Sequence, residues 1–181
     1  MKIYVASSWR NLLQPGIVHA LRRCGHEVYD FRHPAPGNTG FAWSSIDPAW
    51  EQWDAKAYRA ALQHPIAVDG YAYDIGALKA CDACVLVLPS GRSASWEFGY
   101  AMGQGKRGAV VQFDVIAPEL MYREAEIITT MGELFDAFGE PKDDESVENA
   151  KNVYVCPCPG CMNPAIYRDD GRLRCDRHVK S

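Results

Sequence analysis

The sequence predicts an α/β fold: a doubly wound parallel sheet of the flavodoxin-like or Rossmann-like three-layer type, with a small C-terminal zinc-ribbon-like module. Three observations carry this. The run Ala83-Cys-Val-Leu-Val-Leu88 is apolar without alternation, as in a strand covered on both faces. Strand-like and helix-like segments alternate from residue 2 to about 138, the order a parallel sheet requires. Four of the seven cysteines crowd into the last stretch beside His178. In a chain kept in a reducing compartment, such clustering favours metal over disulfides.

Taken in order, residues 2–6 read as the first strand. The polar turn Ser7-Ser-Trp-Arg-Asn11 offers serines and Asn11 as caps, and residues 15–24 carry apolar positions at helical spacing behind Pro15. Gly25 ends that helix, and residues 26–31 read as the second strand. A long loop from His33 to about Asp47, rich in proline, glycine and aromatics, has the length of a binding loop or lid. Residues 48–63 look helical, with Trp50, Trp53, Tyr58 and Leu62 on one stripe, and 70–81 form a further helix leading into the buried strand. A helix then opens near Glu97, placing that acid in its first turn. Residues 108–113 are a strand, and helical pieces near 118–125 and 131–138 flank a strand-like 127–130. The acidic, apolar-poor stretch 139–152 reads as a linker between a domain over 1–138 and the module over 153–181.

Length and composition suit one ordinary soluble domain plus a small appendage: 181 residues, 48% apolar and 23% charged. No apolar run approaches the ~20 residues that span a bilayer. Residue 1 leads straight into a strand-like run with no signal region, so a cytoplasmic protein with no membrane partner is expected. The net charge of −4 gives no support for nucleic-acid binding through the phosphate backbone. Cys24, Cys81 and Cys84 sit among apolar neighbours and read as small buried hydrophobes.

The candidate chemistry gathers around Glu97. A carboxylate in the first turn faces the positive end of the helix dipole and free N–H groups, which keeps it ionised. At the C-terminal edge of a parallel sheet it is placed to act as a nucleophile; the plainer reading is dipole complementation. Tyr4 is either the hydroxyl that orients Glu97 or a core tyrosine. Asp74, near the start of its helix, is either a first-turn acid or a second carboxylate that shuttles a proton. Arg10 and Arg92 stand in loops beside helix starts, where an anion is welcome and where a solvated charge is equally at home.

Three segments, Ile3-Tyr-Val-Ala-Ser-Ser-Trp9, Asp74-Ile-Gly-Ala-Leu-Lys-Ala-Cys-Asp82 and Ser95-Trp-Glu-Phe-Gly-Tyr-Ala-Met-Gly-Gln-Gly-Lys106, resemble the nucleoside 2-deoxyribosyltransferase family. Its superfamily includes 2'-deoxynucleoside 5'-monophosphate N-glycosidases and cytidine monophosphate hydrolases. The similarity spans roughly residues 1–138, and Glu97-Phe-Gly-Tyr-Ala101 is its most specific part. The resemblance implies that Glu97 attacks C1' of a nucleoside or nucleotide and forms a glycosyl-enzyme ester. Asp74 would protonate the leaving base and Tyr4 would hold Glu97 in line, with retention as in two-step glycosidases. It also implies a small-molecule nucleoside or nucleotide as partner, no organic cofactor, and a homo-oligomer, at least a dimer. Ser7, Trp9 and Arg10 belong to its first substrate loop, and Trp9, Phe41 and Trp43 are candidates for stacking on the base.

The transferases carry a further acid about six residues before the nucleophile, where this chain has Gly91. Its loop is Ser90-Gly91-Arg92-Ser93, hydroxyls and a cation, which suit a 5'-phosphate better than a free 5'-hydroxyl. A nucleotide N-glycosidase is therefore favoured over a nucleoside transferase. A nucleotide-sensing module without turnover and an NAD-type glycohydrolase are the alternatives. Nothing here selects the base, or ribose over deoxyribose.

In the C-terminal cluster, Cys158-x-x-Cys161 and Cys175-x-x-His178 flank a hairpin with its turn at Asp170-Gly171, a spacing suited to tetrahedral structural zinc. Cys156-x4-Cys161 is the other choice for the first pair, so five candidates compete for four positions. A module this small gains its stability from the metal.

Overall fold

The computed structural model describes residues 1–114, 116–142, 154–155, 164–167 and 173–174. The chain divides into two compact units, Met1–Pro141 and Lys142–Ser181. In the first, five strands form one all-parallel sheet: β1 (Lys2–Ala6), β2 (Glu27–Asp30), β3 (Ala83–Val87), β4 (Arg107–Val111) and β5 (Glu126–Ile128). Their order across the sheet is β2-β1-β3-β4-β5. The chain therefore winds outward from β1 in both directions, and the β1 and β3 C-terminal ends lie side by side at the reversal, where open α/β sheets bind ligands.

Helices cover both faces, and the continuous burial of β3 follows from that. On one face α1 (Gln14–Arg23) and α5 (Met131–Phe138) bury Ile17, Leu21, Leu134 and Phe138 against Ile3, Val5, Val85 and Val111. On the other, α3 (Pro65–Ala80) and α4 (Arg92–Gly103) bury Leu78, Ala94, Phe98 and Ala101 against Tyr4, Ala6, Leu86 and Val110. Strand side chains alternate between these cores with period two, so Tyr4 and Ile3 belong to opposite faces.

Several expected boundaries move, each for a local reason. The helix expected over 48–63 splits into a 3-10 turn, Trp50–Gln52, and α2 (Ala55–Ala61). Asp54 makes the break: extended itself, it accepts from the Ala57 N–H at 2.7 Å and caps α2. Helix α3 begins at Pro65 rather than 70, with proline in its first turn and the His64 imidazole accepting from the Ile66 N–H. Asp74 is consequently a mid-helix residue, not a first-turn acid. Helix α4 begins at Arg92, so Glu97 stands in its second turn rather than its first. The piece near 118–125 is a 3-10 turn, Leu120–Glu124. Strand β5 stops at Ile128 because Thr130 turns to cap α5, accepting from the Glu133 N–H, while Glu133 reaches back to the Thr129 N–H. Asn11 does not cap α1, which starts behind Leu13 without a side-chain cap.

In the second unit three short strands, β6 (Tyr154–Val155), β7 (Pro164–Tyr167) and β8 (Leu173–Arg174), form an antiparallel sheet in the order β6-β7-β8. The linker residues 143–152 and the candidate ligands Cys156, Cys158, Cys161, Cys175 and His178 lie outside the described residues. Among the described residues no helix is long and apolar enough to cross a membrane.

Candidate active site

Two loops shape the C-terminal edge of the sheet, and a buried amide ties them together. Asn11, in the loop after β1, donates through Nδ2 to the Val87 and Pro89 carbonyls at 3.0 and 3.1 Å, and its Oδ1 accepts from the Leu13 N–H. The Ser7 hydroxyl donates to the same Val87 carbonyl at 2.9 Å. Arg32, just past β2, braces the loop from the other side: its guanidinium donates to the Ser8, Trp9 and Asn11 carbonyls and lies against the Trp9 and Phe31 rings. Sequence reasoning missed both scaffold roles. A polar residue flanked by turn formers, and a cation just past a strand end, signal neither partner.

Below this edge stand two tyrosines and two acids. Tyr4 and Tyr29 are level neighbours on β1 and β2, so their rings stack with centroids 5.1 Å apart. The Tyr29 hydroxyl donates to Asp74 Oδ1 at 2.8 Å, fixing that carboxyl on α3. Tyr29 is a site residue that sequence reasoning passed over. The signal was present: two strands each carry a tyrosine as their third residue, and a parallel register sets like positions side by side.

The three predicted catalytic residues meet. Glu97 and Asp74 are both partly buried, and each feels the low-dielectric edge. Burial, the charge of Asp74 and an opposing pull from the Tyr4 hydroxyl together set the Glu97 carboxyl at about 7. This corrects the expectation of a plainly ionised acid. One turn further into α4, Glu97 has lost most of the dipole's help, which fades within the first turn, while its desolvation persists. Burial likewise raises Asp74, and the Tyr29 hydrogen bond partly offsets it. Both tyrosines lie far above the ordinary phenol range, first through burial, and so remain protonated donors. The fully buried Tyr4 hydroxyl closes no hydrogen bond of ordinary geometry, although it is the neighbour that eases the Glu97 proton off. Hydrogen bonds at such sites are commonly misaligned until substrate binds.

Asp74 also opens onto a cavity of about 250 Å³ lined by Phe31, Asn38, Phe41, Asp69 and Tyr73. The long loop forms its roof and is docked by two glycines. A Cβ at Gly40, where φ is +80°, would come within 2.8 Å of the Trp9 ring, and one at Gly70 would meet Phe41 at 3.0 Å. Phe41 therefore faces the cavity. Trp43 stands behind it, packed edge-on against Phe41, Trp53 and Tyr58, and Trp9 packs edge-on against Phe31 outside the lining.

The remaining candidates frame the other side. Gly91 caps α4 with no side-chain acceptor, which leaves the first N–H groups of that helix open. Arg92 and Ser93 are exposed beside it, and Ser90 is half-buried, facing the Tyr122 hydroxyl. Arg10 is exposed across the cleft, and neither it nor Arg92 enters an ion pair among the described residues. No cluster of metal-holding side chains occurs among the described residues.

The fold and site define a doubly wound α/β domain with paired carboxyls at the point where its strand order reverses. Comparison with protein-family models and with curated protein sequences returns no match.

Proposed function

We propose that this protein cleaves the N-glycosidic bond of a nucleoside 5'-monophosphate, by hydrolysis or by transfer to an acceptor base, through a covalent intermediate on Glu97. The observation that carries this reading is the juxtaposition of two partly buried carboxyls, one raised to about 7 and the other gripped by a tyrosine, at the sheet edge. Two buried carboxyls that feel each other's charge favour the state in which one is ionised and the other protonated, the state a nucleophile and a proton carrier together need.

A Glu97 carboxylate oxygen attacks C1', and the bond from C1' to the base nitrogen breaks. Its electron pair stays on that nitrogen, which takes a proton from Asp74. Water or a second base then attacks C1' from the face the first base vacated, giving its proton to Asp74 as the ester oxygen returns to Glu97. Two inversions leave net retention. The Tyr4 hydroxyl orients the attacking carboxyl, and Tyr29 orients Asp74. The base lies in the cavity beside Asp74, against Phe41, and Arg10, Ser90, Arg92 and Ser93 meet the 5'-phosphate at the open N-terminus of α4. Substrate in this cleft excludes water from the carboxyls and strengthens every electrostatic contact between them.

The assembly is a homo-oligomer, at least a dimer, built on the apolar surface beside the site. Trp96, adjacent to Glu97, is 55% exposed and Tyr71 on α3 is 59% exposed.

A screen for free base across nucleosides, deoxynucleosides and their 5'-monophosphates, with and without acceptor base, tests the reading. Base release from monophosphates that disappears in Glu97→Ala supports it. Unchanged release in that variant, or tight nucleotide binding with no turnover in the parent, overturns it.

A further inference from the structure

We infer that the cavity beside Asp74 takes a base with an exocyclic amino group next to a ring nitrogen, as in guanine, adenine and cytosine, and that Asp69 selects it. This rests on the proposed reaction, in which that cavity holds the base. The cavity's volume of about 250 Å³ falls below the ~300–1,000 Å³ of pockets that enclose a drug-sized ligand. It therefore accommodates a ring system and leaves sugar and phosphate at the sheet edge. Helix α3 forms one wall. Ile66, Asp69, Gly70, Tyr73 and Asp74 recur along it at helical spacing, so they share one side of the helix and line the cavity together. Asp69 precedes Asp74 by five residues, a rise of about 7.5 Å along the axis. Because α3 runs against the strands it joins, Asp69 stands further out from the sheet edge than Asp74 does. Asp74 thus serves the near side of a base, and Asp69 its far side.

The polar groups of the cavity differ in what they can offer a base. Ser45 and Tyr73 present hydroxyls, which donate and accept and so tolerate an amino group or a carbonyl alike. The Asp69 carboxylate only accepts, and no cation among the described residues pairs with it. Asn38 is fixed the other way. Its Oδ1 accepts the Gly40 N–H at 2.9 Å, which orients the amide and leaves Nδ2 to donate. An acceptor on the helix wall and a donor on the loop match an amino group beside a ring nitrogen that carries no proton. Uracil, thymine and hypoxanthine put a carbonyl where cytosine or adenine has its amino group, setting acceptor against acceptor at Asp69. Hypoxanthine also lacks the second amino position that guanine fills. Stacking on Phe41 is indifferent to the base, since every base has a π-face. Asp69 is exposed, so the selection it supplies is about tenfold, far short of that of a fully buried polar site.

Two readouts on the full-length protein test the selection separately from the reaction. Calorimetry gives the affinities of CMP, UMP, GMP and IMP for Glu97→Ala, and base release gives kcat/KM for the same four with the parent. CMP is expected to exceed UMP, and GMP to exceed IMP, about tenfold in both quantities. Asp69→Asn, whose amide both donates and accepts, is expected to bring each ratio towards one in either background. Asn38→Asp keeps the acceptor for the Gly40 N–H but loses the donor, and is expected to narrow the ratio of CMP to UMP. Equal values within each pair, or ratios that survive Asp69→Asn, overturn the selection and leave the chemistry at Glu97 standing. Base release from none of the four, with the binding ratios as expected, overturns the reaction and leaves the selection standing. Absence of binding by all four overturns both.

Discussion

Glu97 concentrates the chemistry because two demands on it conflict. The proposed attack at C1' needs the carboxylate, whereas its surroundings disfavour charge and hold the proton up to about 7. The reactive form of the pair holds one proton, so kcat/KM for base release should be bell-shaped, rising as the first carboxyl of the pair ionises and falling through an apparent midpoint near 7 as the second loses its proton. The pH profile of the purified protein reads this directly, and a rate that rises to a plateau above pH 8 would remove Asp74 as the proton donor. The same conflict has a stability consequence. Raised from an ordinary 4.5 to about 7, the carboxyl has no effect on folding while both states are protonated, and it destabilises the fold as pH rises through that window. Glu97→Gln should consequently be more stable than the parent at pH 8 by on the order of 1–2 kcal/mol, after allowance for partial exposure, and indistinguishable at pH 4. Urea denaturation at the two pH values measures the difference.

The helices and loops explain why that carboxyl sits where it does. Helix α4 starts at Arg92 with Gly91 ahead of it and no capping side chain, so no residue type marks the boundary. Proline at the first position of α3 and Asp54 ahead of α2 are readable stop-and-start signals, but they compete with apolar stripes that run straight through them. That competition accounts for both the merged helix at 48–63 and the late start assigned to α3. Alignment of the two edge loops rests on Asn11, whose single amide serves carbonyls on both sides of β3's end. Asn11→Ala leaves the Val87 and Pro89 carbonyls without that donor in a buried position and should destabilise the fold by about 1–3 kcal/mol, read by chemical denaturation. Loss of base release beyond that expected from the unfolded fraction would show that the loops had also lost register.

Across the whole molecule, the sheet order β2-β1-β3-β4-β5 makes the site possible by setting the ends of β1 and β3 together. It brings Tyr4, at residue 4, beside carboxyls some seventy and ninety positions away. The exposed apolar surface at Trp96 and Tyr71 predicts an assembly of at least twice the chain mass by light scattering, and Trp96→Glu should shift it towards monomer. A monomeric parent at micromolar concentration would remove that part of the reading.

Residue order alone determined the layer architecture, the burial of β3 on both faces and the placing of Glu97 on the helix behind it, while the roles of Glu97, Asp74 and Tyr4 came from the resemblance their segments carry. Those features follow from local periodicity and residue type, which travel with the chain. Only the tertiary structure decided that Glu97 lies beyond the dipole's reach, that Asp74 is held by Tyr29, and that Asn11 and Arg32 brace the loops. Each of these depends on which strands become neighbours and how deeply an edge is desolvated, and both are set by packing among segments far apart in sequence. The carboxyl expected to be charged by its place on a helix thus becomes, through burial beside a second acid, one that titrates near neutrality.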